Sequence, residues 1–178
     1  MTVKIIDLKL ATEAFKKLDL LLKKPIKLIL GGGTAMIMAH NFPLSTSDID
    51  AVAKNCSLLE IEKEIKQVAT ELNLPPDWLN PHFSSFLFTL PDDFENRLIK
   101  VFDENYLSVF ALGKEDMLLM KCFAHRAKDK GHAQFLLKNK LDLSIVENQI
   151  ELLKQKKIPG SDAALDFLDL LLDESENE

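Results

Sequence analysis

The stretch Ile26-Lys-Leu-Ile-Leu-Gly31-Gly32-Gly33-Thr34-Ala-Met-Ile-Met-Ala-His40 decides the fold. Ile26 to Leu30 is a short, mostly apolar run between Pro25 and three glycines, the pattern of a buried strand. Thr34 to His40 reads as a short helix that starts directly behind those glycines. A strand that turns through glycine into a helix is the opening unit of an α/β arrangement. The turn also has chemical capacity. Glycine lets the backbone approach a bulky anion, and a helix N-terminus offers free N–H groups to phosphate oxygens. Thr34 adds a hydroxyl donor at the same place. A tight strand–helix connection with no ligand is the competing reading of the same residues.

The segment that follows adds charge. Asn41 to Ser47 reads as a loop and Asp48 to Ala53 as a short strand. Residues i and i+2 of a strand point to the same face, so Asp48 and Asp50 stand side by side. Two adjacent carboxylates repel, and a divalent cation removes the repulsion. Magnesium takes a few carboxylates together with substrate phosphate oxygens. In the competing reading Asp48 caps the loop and Asp50 faces solvent at a strand edge. No Lys-Ser or Lys-Thr follows the glycines, so this is not a Walker loop, and the spacing of a dinucleotide fingerprint is absent.

Outward from this centre, residues 10–23 place Ala11, Phe15, Leu18 and Leu22 at helical spacing, and Pro25 ends that helix. Residues 57–73 form an amphipathic helix with Ser57 as N-cap and Glu60 at capping-box spacing. Pro75 to Pro81 is a rigid connection. Strands are expected over 83–90, 97–102 and 106–111. From Gly113 the chain reads as helices over about 114–127, 131–139, 143–156 and 161–172, with Pro159-Gly160 punctuating the last two. The expected fold is thus an α/β (α+β) sheet core over 1–112, a helical C-terminal part over 113–172 packed on it, and a frayed acidic tail over 173–178.

Composition narrows the function. The 178 residues carry 28 acidic and 22 Lys and Arg side chains, a formal net charge of −6. That weighs against a broad, nonspecific nucleic-acid binder, which usually shows a basic face. Cys56 and Cys122 are solitary, so neither a zinc site nor a disulfide framework is expected. No signal peptide and no apolar span long enough for a bilayer are read, which points to a cytoplasmic protein with no membrane partner.

At Gly32-Gly33-Thr34-Ala35 and Ser47-Asp48-Ile49-Asp50 the sequence resembles the polymerase-β-type nucleotidyltransferase superfamily. More narrowly it resembles the DUF6036 group of bacterial nucleotidyltransferase-like proteins, related to the AbiEii toxin group. Pro76-Asp77-Trp78-Leu79-Asn80, Leu118-Leu119-Met120-Lys121-Cys122-Phe123-Ala124 and Arg126-Ala127-Lys128-Asp129 extend the likeness, which covers about residues 26–140. It implies a mixed sheet flanked by helices. It also implies transfer of a nucleoside monophosphate from an NTP to a hydroxyl of an RNA or protein acceptor, with Mg2+ as cofactor in a one- or two-ion site. Asp48 and Asp50 would hold metal; Gly32, Gly33, Thr34, Ser47 and Lys121 would bind nucleotide. Asp103 is the candidate third carboxylate, with a turn residue as its other reading. The chain departs from the group at His132, where an aspartate often stands. That departure supports a second function: an inactive relative that binds nucleotide or a protein partner, for instance as one half of a toxin–antitoxin pair.

Four other readings stay open at this point. Lys121 reaches a phosphate or snorkels to solvent. Arg126, Lys128 and Lys130 touch phosphate or form a solvated helix end. His125, Asp129 and His132 would share one face only on an unbroken helix, and Gly131 is expected to interrupt it. Trp78 anchors the core or stacks on a base.

Overall fold

The structure, a computed structural model, describes residues 5–43 and 45–176. Its elements follow in the order α1 (Leu8–Leu21), β1 (Ile26–Leu30), α2 (Gly32–His40), β2 (Ile49–Ala53), α3 (Glu62–Leu72), β3 (Leu79–Asn80), β4 (Ile99–Asp103), β5 (Leu107–Ala111), α4 (Lys114–Ala124), α5 (Ala127–Leu137), α6 (Leu143–Gln155) and α7 (Ser161–Glu176). The strands form one mixed sheet in the order β3-β2-β1-β5-β4. β1 runs parallel to β5, and β2 parallel to β3; β1 with β2 and β4 with β5 are antiparallel.

The chain divides into two compact units. One comprises the described residues of Met1–Ser85 together with Leu98–Leu112; the other comprises those of Phe86–Arg97 and Gly113–Glu178. In the first, the sheet core is built from the periodicity of its helices. Ala11, Ala14, Phe15 and Leu18 of α1 and Ile65, Val68 and Ala69 of α3 are buried, the apolar stripe that helical spacing dictates. Phe15 packs against Phe102 at 5.8 Å and Trp78 at 6.4 Å between ring centroids. Trp78 is fully buried and donates its indole N–H to the Ile65 carbonyl at 2.9 Å, so it is a core anchor. The Ser57–Glu60 capping box forms, opening a short 3-10 turn at Leu58–Ile61 that runs into α3.

In the helical unit the Arg97 guanidinium forks onto Asp116, Nε to Oδ2 at 2.9 Å and Nη2 to Oδ1 at 2.8 Å. This planar bidentate pairing fixes the segment that precedes β4 against the start of α4. Gln149 of α6 donates to the Thr89 carbonyl, and Phe88 meets Phe123 edge to face.

Several elements depart from the sequence reading. Residues His82–Thr89 form a 3-10 helix, not a strand. Phe83 and Thr89 are buried with Phe86 half-buried between them, a period of three that a 3-10 turn satisfies and a strand does not. The Pro75–Pro81 connection contains the two-residue strand β3, held by the pairings Ile49–Leu79 and Asp50–Asn80. α2 begins at Gly32, inside the glycine run. The break between α4 and α5 falls at His125, in the left-handed region at φ 34, while Gly131 lies within α5. α7 runs on to Glu176, and residues 177–178 of the expected tail lie outside the described residues. Among the described residues no helix is long and apolar enough to cross a membrane.

Candidate nucleotide and metal corner

The corner is assembled where β1 hands over to α2. Gly31 donates its N–H to the Asp50 carbonyl at 3.0 Å, tying the turn to β2. A Cβ on Gly31 would sit 2.7 Å from the Phe83 ring. Gly32 has φ 59, and a Cβ there would collide with the Asp50 carboxylate. Only glycine tolerates both the left-handed backbone and that approach. The first turn of α2, with N–H groups that lack intrahelical acceptors, therefore lies directly against the Asp50 side chain. Thr34 is buried, and its hydroxyl donates to the Asp48 carbonyl at 3.2 Å. The hydroxyl expected to face a phosphate is turned to the backbone of the aspartate pair, and Gly32 and Gly33, half-buried, are the accessible residues of the first turn.

Asp48 precedes β2 and Asp50 lies within it; both are half-buried. Ser47 donates to Asp48 Oδ1 at 3.1 Å. Asp48 Oδ2 accepts from Asn80 Nδ2 at 3.0 Å, and Asn80 Oδ1 accepts the His82 backbone N–H at 3.0 Å. Asn80 is 4% exposed, so one buried amide orients both neighbours. A carboxylate oxygen of each aspartate and a ring nitrogen of His82 all lie within 4.8 Å of one another. Three donors at this spacing can share one cation. Two of the three donors are carboxylates, the ligand type that Mg2+, the ion expected from the sequence, takes. Asn80 and His82 also wall a cavity of about 610 Å3 whose other sides include Val52, Ile65, Pro76 and Leu79.

His82 is absent from the sequence reading, and Asn80 enters it only within the Pro76–Asn80 stretch, with no role given to it. Their place depends on the pairing of β3 with β2, which joins residues about thirty apart and leaves no local pattern in a proline-flanked dipeptide. The available signal was a histidine, in a chain with four, two residues after an Asn that follows an apolar pair.

Within the sheet unit, Asp103 stands apart from the corner. Asp103 pairs in register with Ser108, which pairs with Lys27 at the start of β1, whereas Asp50 adjoins Gly31 at the other end of β1. Three strand spacings and four residues of rise put it on the order of 20 Å from Asp50. It is exposed and engaged by Lys100 at 2.8 Å and Ser108 at 2.6 Å. Those two hydrogen bonds hold its carboxyl below the usual carboxylate range. Asp103 is therefore not gathered with Asp48 and Asp50 in this structure; it braces the β4–β5 hairpin.

Lys121 belongs to the helical unit. It is 4% exposed and donates to Asp129 Oδ1 at 2.7 Å, so it does not snorkel. Burial pushes its pKa down, against the pull of Asp129. Asp129 is fully buried; burial pushes its carboxyl up, but the hydrogen bonds from Arg126 and Lys121 outweigh that and hold it down. Arg126 Nε reaches Asp129 Oδ2 at 2.7 Å, and the same oxygen accepts the Arg126 N–H, closing a capping box at the start of α5. The imidazole of His132, half-buried in α5, is pushed down to about 4 by burial and by the nearby Lys121 charge. His125, Asp129 and His132 do not assemble as a metal group.

A family model described as "Nucleotidyltransferase of unknown function (DUF6036)" matches residues 8–163, most of the chain. No curated protein and no solved structure matches it.

Proposed function

Because the chain belongs to the DUF6036 nucleotidyltransferase family, we propose that it moves a nucleoside monophosphate from an NTP to a hydroxyl of an RNA or protein acceptor, with a divalent cation, Mg2+ by default, held at Asp48 and Asp50. The observation that carries this reading is the contact of Gly32 with the Asp50 carboxylate, where the free amides of a helix start meet an aspartate pair. A triphosphate needs both kinds of group. Its oxygens accept from the N–H groups of Gly32, Gly33 and Thr34, where the helix dipole also favours negative charge. A cation bound between the carboxylates neutralises charge that develops on the reacting phosphate. Ser47 and Asn80 keep the Asp48 carboxylate aimed at that cation, so the geometry is set before the nucleotide arrives.

Calorimetric titration with each NTP, with and without Mg2+, tests the reading. Binding should require the cation and should vanish in the Asp48→Asn/Asp50→Asn double variant. Transfer of label from an α-labelled NTP to an acceptor then tests the chemistry. Retention of cation-dependent binding in the double variant would remove the assignment.

A second reading draws on Asp103. With that carboxylate at the far end of the sheet, the base for the acceptor hydroxyl is not among the residues gathered at the corner. Nucleotide binding without turnover, together with a stable complex with a protein partner, would favour an inactive relative working as a toxin–antitoxin component.

A further inference from the structure

We propose that His82 is a third ligand of the cation site and that its imidazole biases the site toward a first-row transition ion, with Mn2+ favoured over Mg2+. The inference rests on the metal reading of Asp48 and Asp50 above and goes beyond it in naming the ligand set and the ion.

Three observations carry it. His82 brings a ring nitrogen within 4.8 Å of oxygens of both aspartates, close to the ~4 Å that separates opposite ligands around an ion with bonds of ~2.1 Å. The position of His82 is built rather than incidental. Its backbone N–H is held by Asn80, whose amide nitrogen holds Asp48, and Asn80 itself is buried and locked into β3 beside Asp50. One side chain thus sets the spacing of two ligands, as groups behind a metal-binding shell do. Finally, the carboxylate expected to complete the set, Asp103, stands on the edge strand at the opposite end of the sheet, and His82 occupies the third position.

The chemistry follows from the donor atom. Mg2+ is a hard ion that prefers oxygen ligands and keeps several waters. Imidazole nitrogen suits first-row transition ions. Mn2+ shares the octahedral preference of Mg2+ for carboxylate, water and phosphate oxygen but gains more than Mg2+ does from one nitrogen, so the imidazole tips the balance between these two ions. Exchanging the imidazole for a non-ligating side chain should therefore weaken Mn2+ far more than Mg2+.

The test uses the full chain, Mn2+ and Mg2+ alone, and three proteins: wild type, His82→Ala and Asp50→Asn. Mn2+ affinity is read by electron paramagnetic resonance, Mg2+ by competition, and a ring nitrogen on the ion by its nuclear modulation of the Mn2+ signal. The proposal expects Mn2+ to bind wild type at least tenfold tighter than Mg2+, with nitrogen modulation. It expects His82→Ala to lose that modulation and roughly tenfold or more in Mn2+ affinity, with Mg2+ affinity changed less than threefold. Circular dichroism of His82→Ala should match wild type, since the residue is exposed. Mn2+ binding that is lost in Asp50→Asn but unchanged in His82→Ala overturns this inference and leaves the aspartate site standing. Mn2+ binding that survives in Asp50→Asn, or no binding by wild type, overturns both.

Discussion

Two clusters of charge in this molecule are built on opposite terms. At the head of β2, two half-buried aspartates converge on each other, on an imidazole and on the open first turn of a helix. In the helical unit, Asp129 is fully buried and converges with the ammonium of Lys121 and the guanidinium of Arg126. The first cluster gathers like charge and places it within reach of solvent and a cavity; the second neutralises its own charge and closes over it. A protein tolerates the first arrangement when an external cation completes it and the second without any ligand. The same residue types, Asp and Lys, signal chemistry at one place and architecture at the other, and burial together with the identity of the neighbour decides which.

The largest effect should come from breaking the closed cluster. Asp129→Ala leaves the Lys121 ammonium buried without its carboxylate and removes the acceptor of the Arg126 N–H at the start of α5. Losing one partner of a buried pair costs about 3–5 kcal/mol, so denaturant unfolding should show a loss of that order. An Asp129→Ala protein as stable as wild type would mean that the pair is not buried in solution.

A second test of the same cluster uses acid. His132 titrates at about 4 in the folded protein against a reference of 6.5. Above 6.5 both states are neutral and the group contributes nothing to the pH dependence. As pH falls below 6.5 the unfolded chain takes up a proton that the folded one refuses. Stability is therefore lost progressively between about 6.5 and 4, by up to about 3 kcal/mol and less where water screens the ring. The slope between pH 7 and 4.5 should flatten in His132→Gln; an unchanged slope would assign the acid sensitivity to other groups.

At the open corner, Gly32→Ala comes next. The left-handed backbone alone costs about 1–2 kcal/mol for a residue with a Cβ, and the new methyl meets the Asp50 carboxylate. The thermal midpoint should fall, and cation binding should weaken with it because Asp50 must move. Loss of stability with cation affinity intact would separate the turn from the site.

How much of this was legible before the structure depends on the range of the interaction concerned. β1, the helix behind the glycines and the strand that carries Asp50 are legible because apolar runs, glycine and helix onset are local signals. The Ser57 capping box is local in the same way. The 83–90 segment misled because its aromatic content suits a strand, while its burial period of three emerges only once Phe83 has packed under Gly31. The roles of Asn80 and His82 were not legible for a related reason: the pairing of Leu79 and Asn80 with Ile49 and Asp50 is a contact at a distance in sequence, made by a strand too short to have a pattern. The distance of Asp103 from the aspartate pair was not legible either, since register, not propensity, decides which end of a sheet a residue occupies.

The smallest expected change has the most informative sign. In the absence of divalent ions, Asp50→Asn removes one of two like charges packed within 4.8 Å. The variant should be as stable as wild type or slightly more so, by up to about 1 kcal/mol. With a saturating divalent ion the order should reverse, because an ion that binds only the folded state stabilises by about 2.7 kcal/mol at a hundred times its dissociation constant, and the variant forgoes that gain. Aspartates that serve the fold behave in the opposite way. Asp116, fully buried under the fork of Arg97, should destabilise on conversion to Asn with or without metal. Thermal melts of Asp50→Asn and Asp116→Asn, each with and without Mn2+, therefore separate the two kinds of carboxylate in one experiment. Asp50→Asn that melts below wild type in metal-free buffer would place Asp50 with Asp116, as a structural residue.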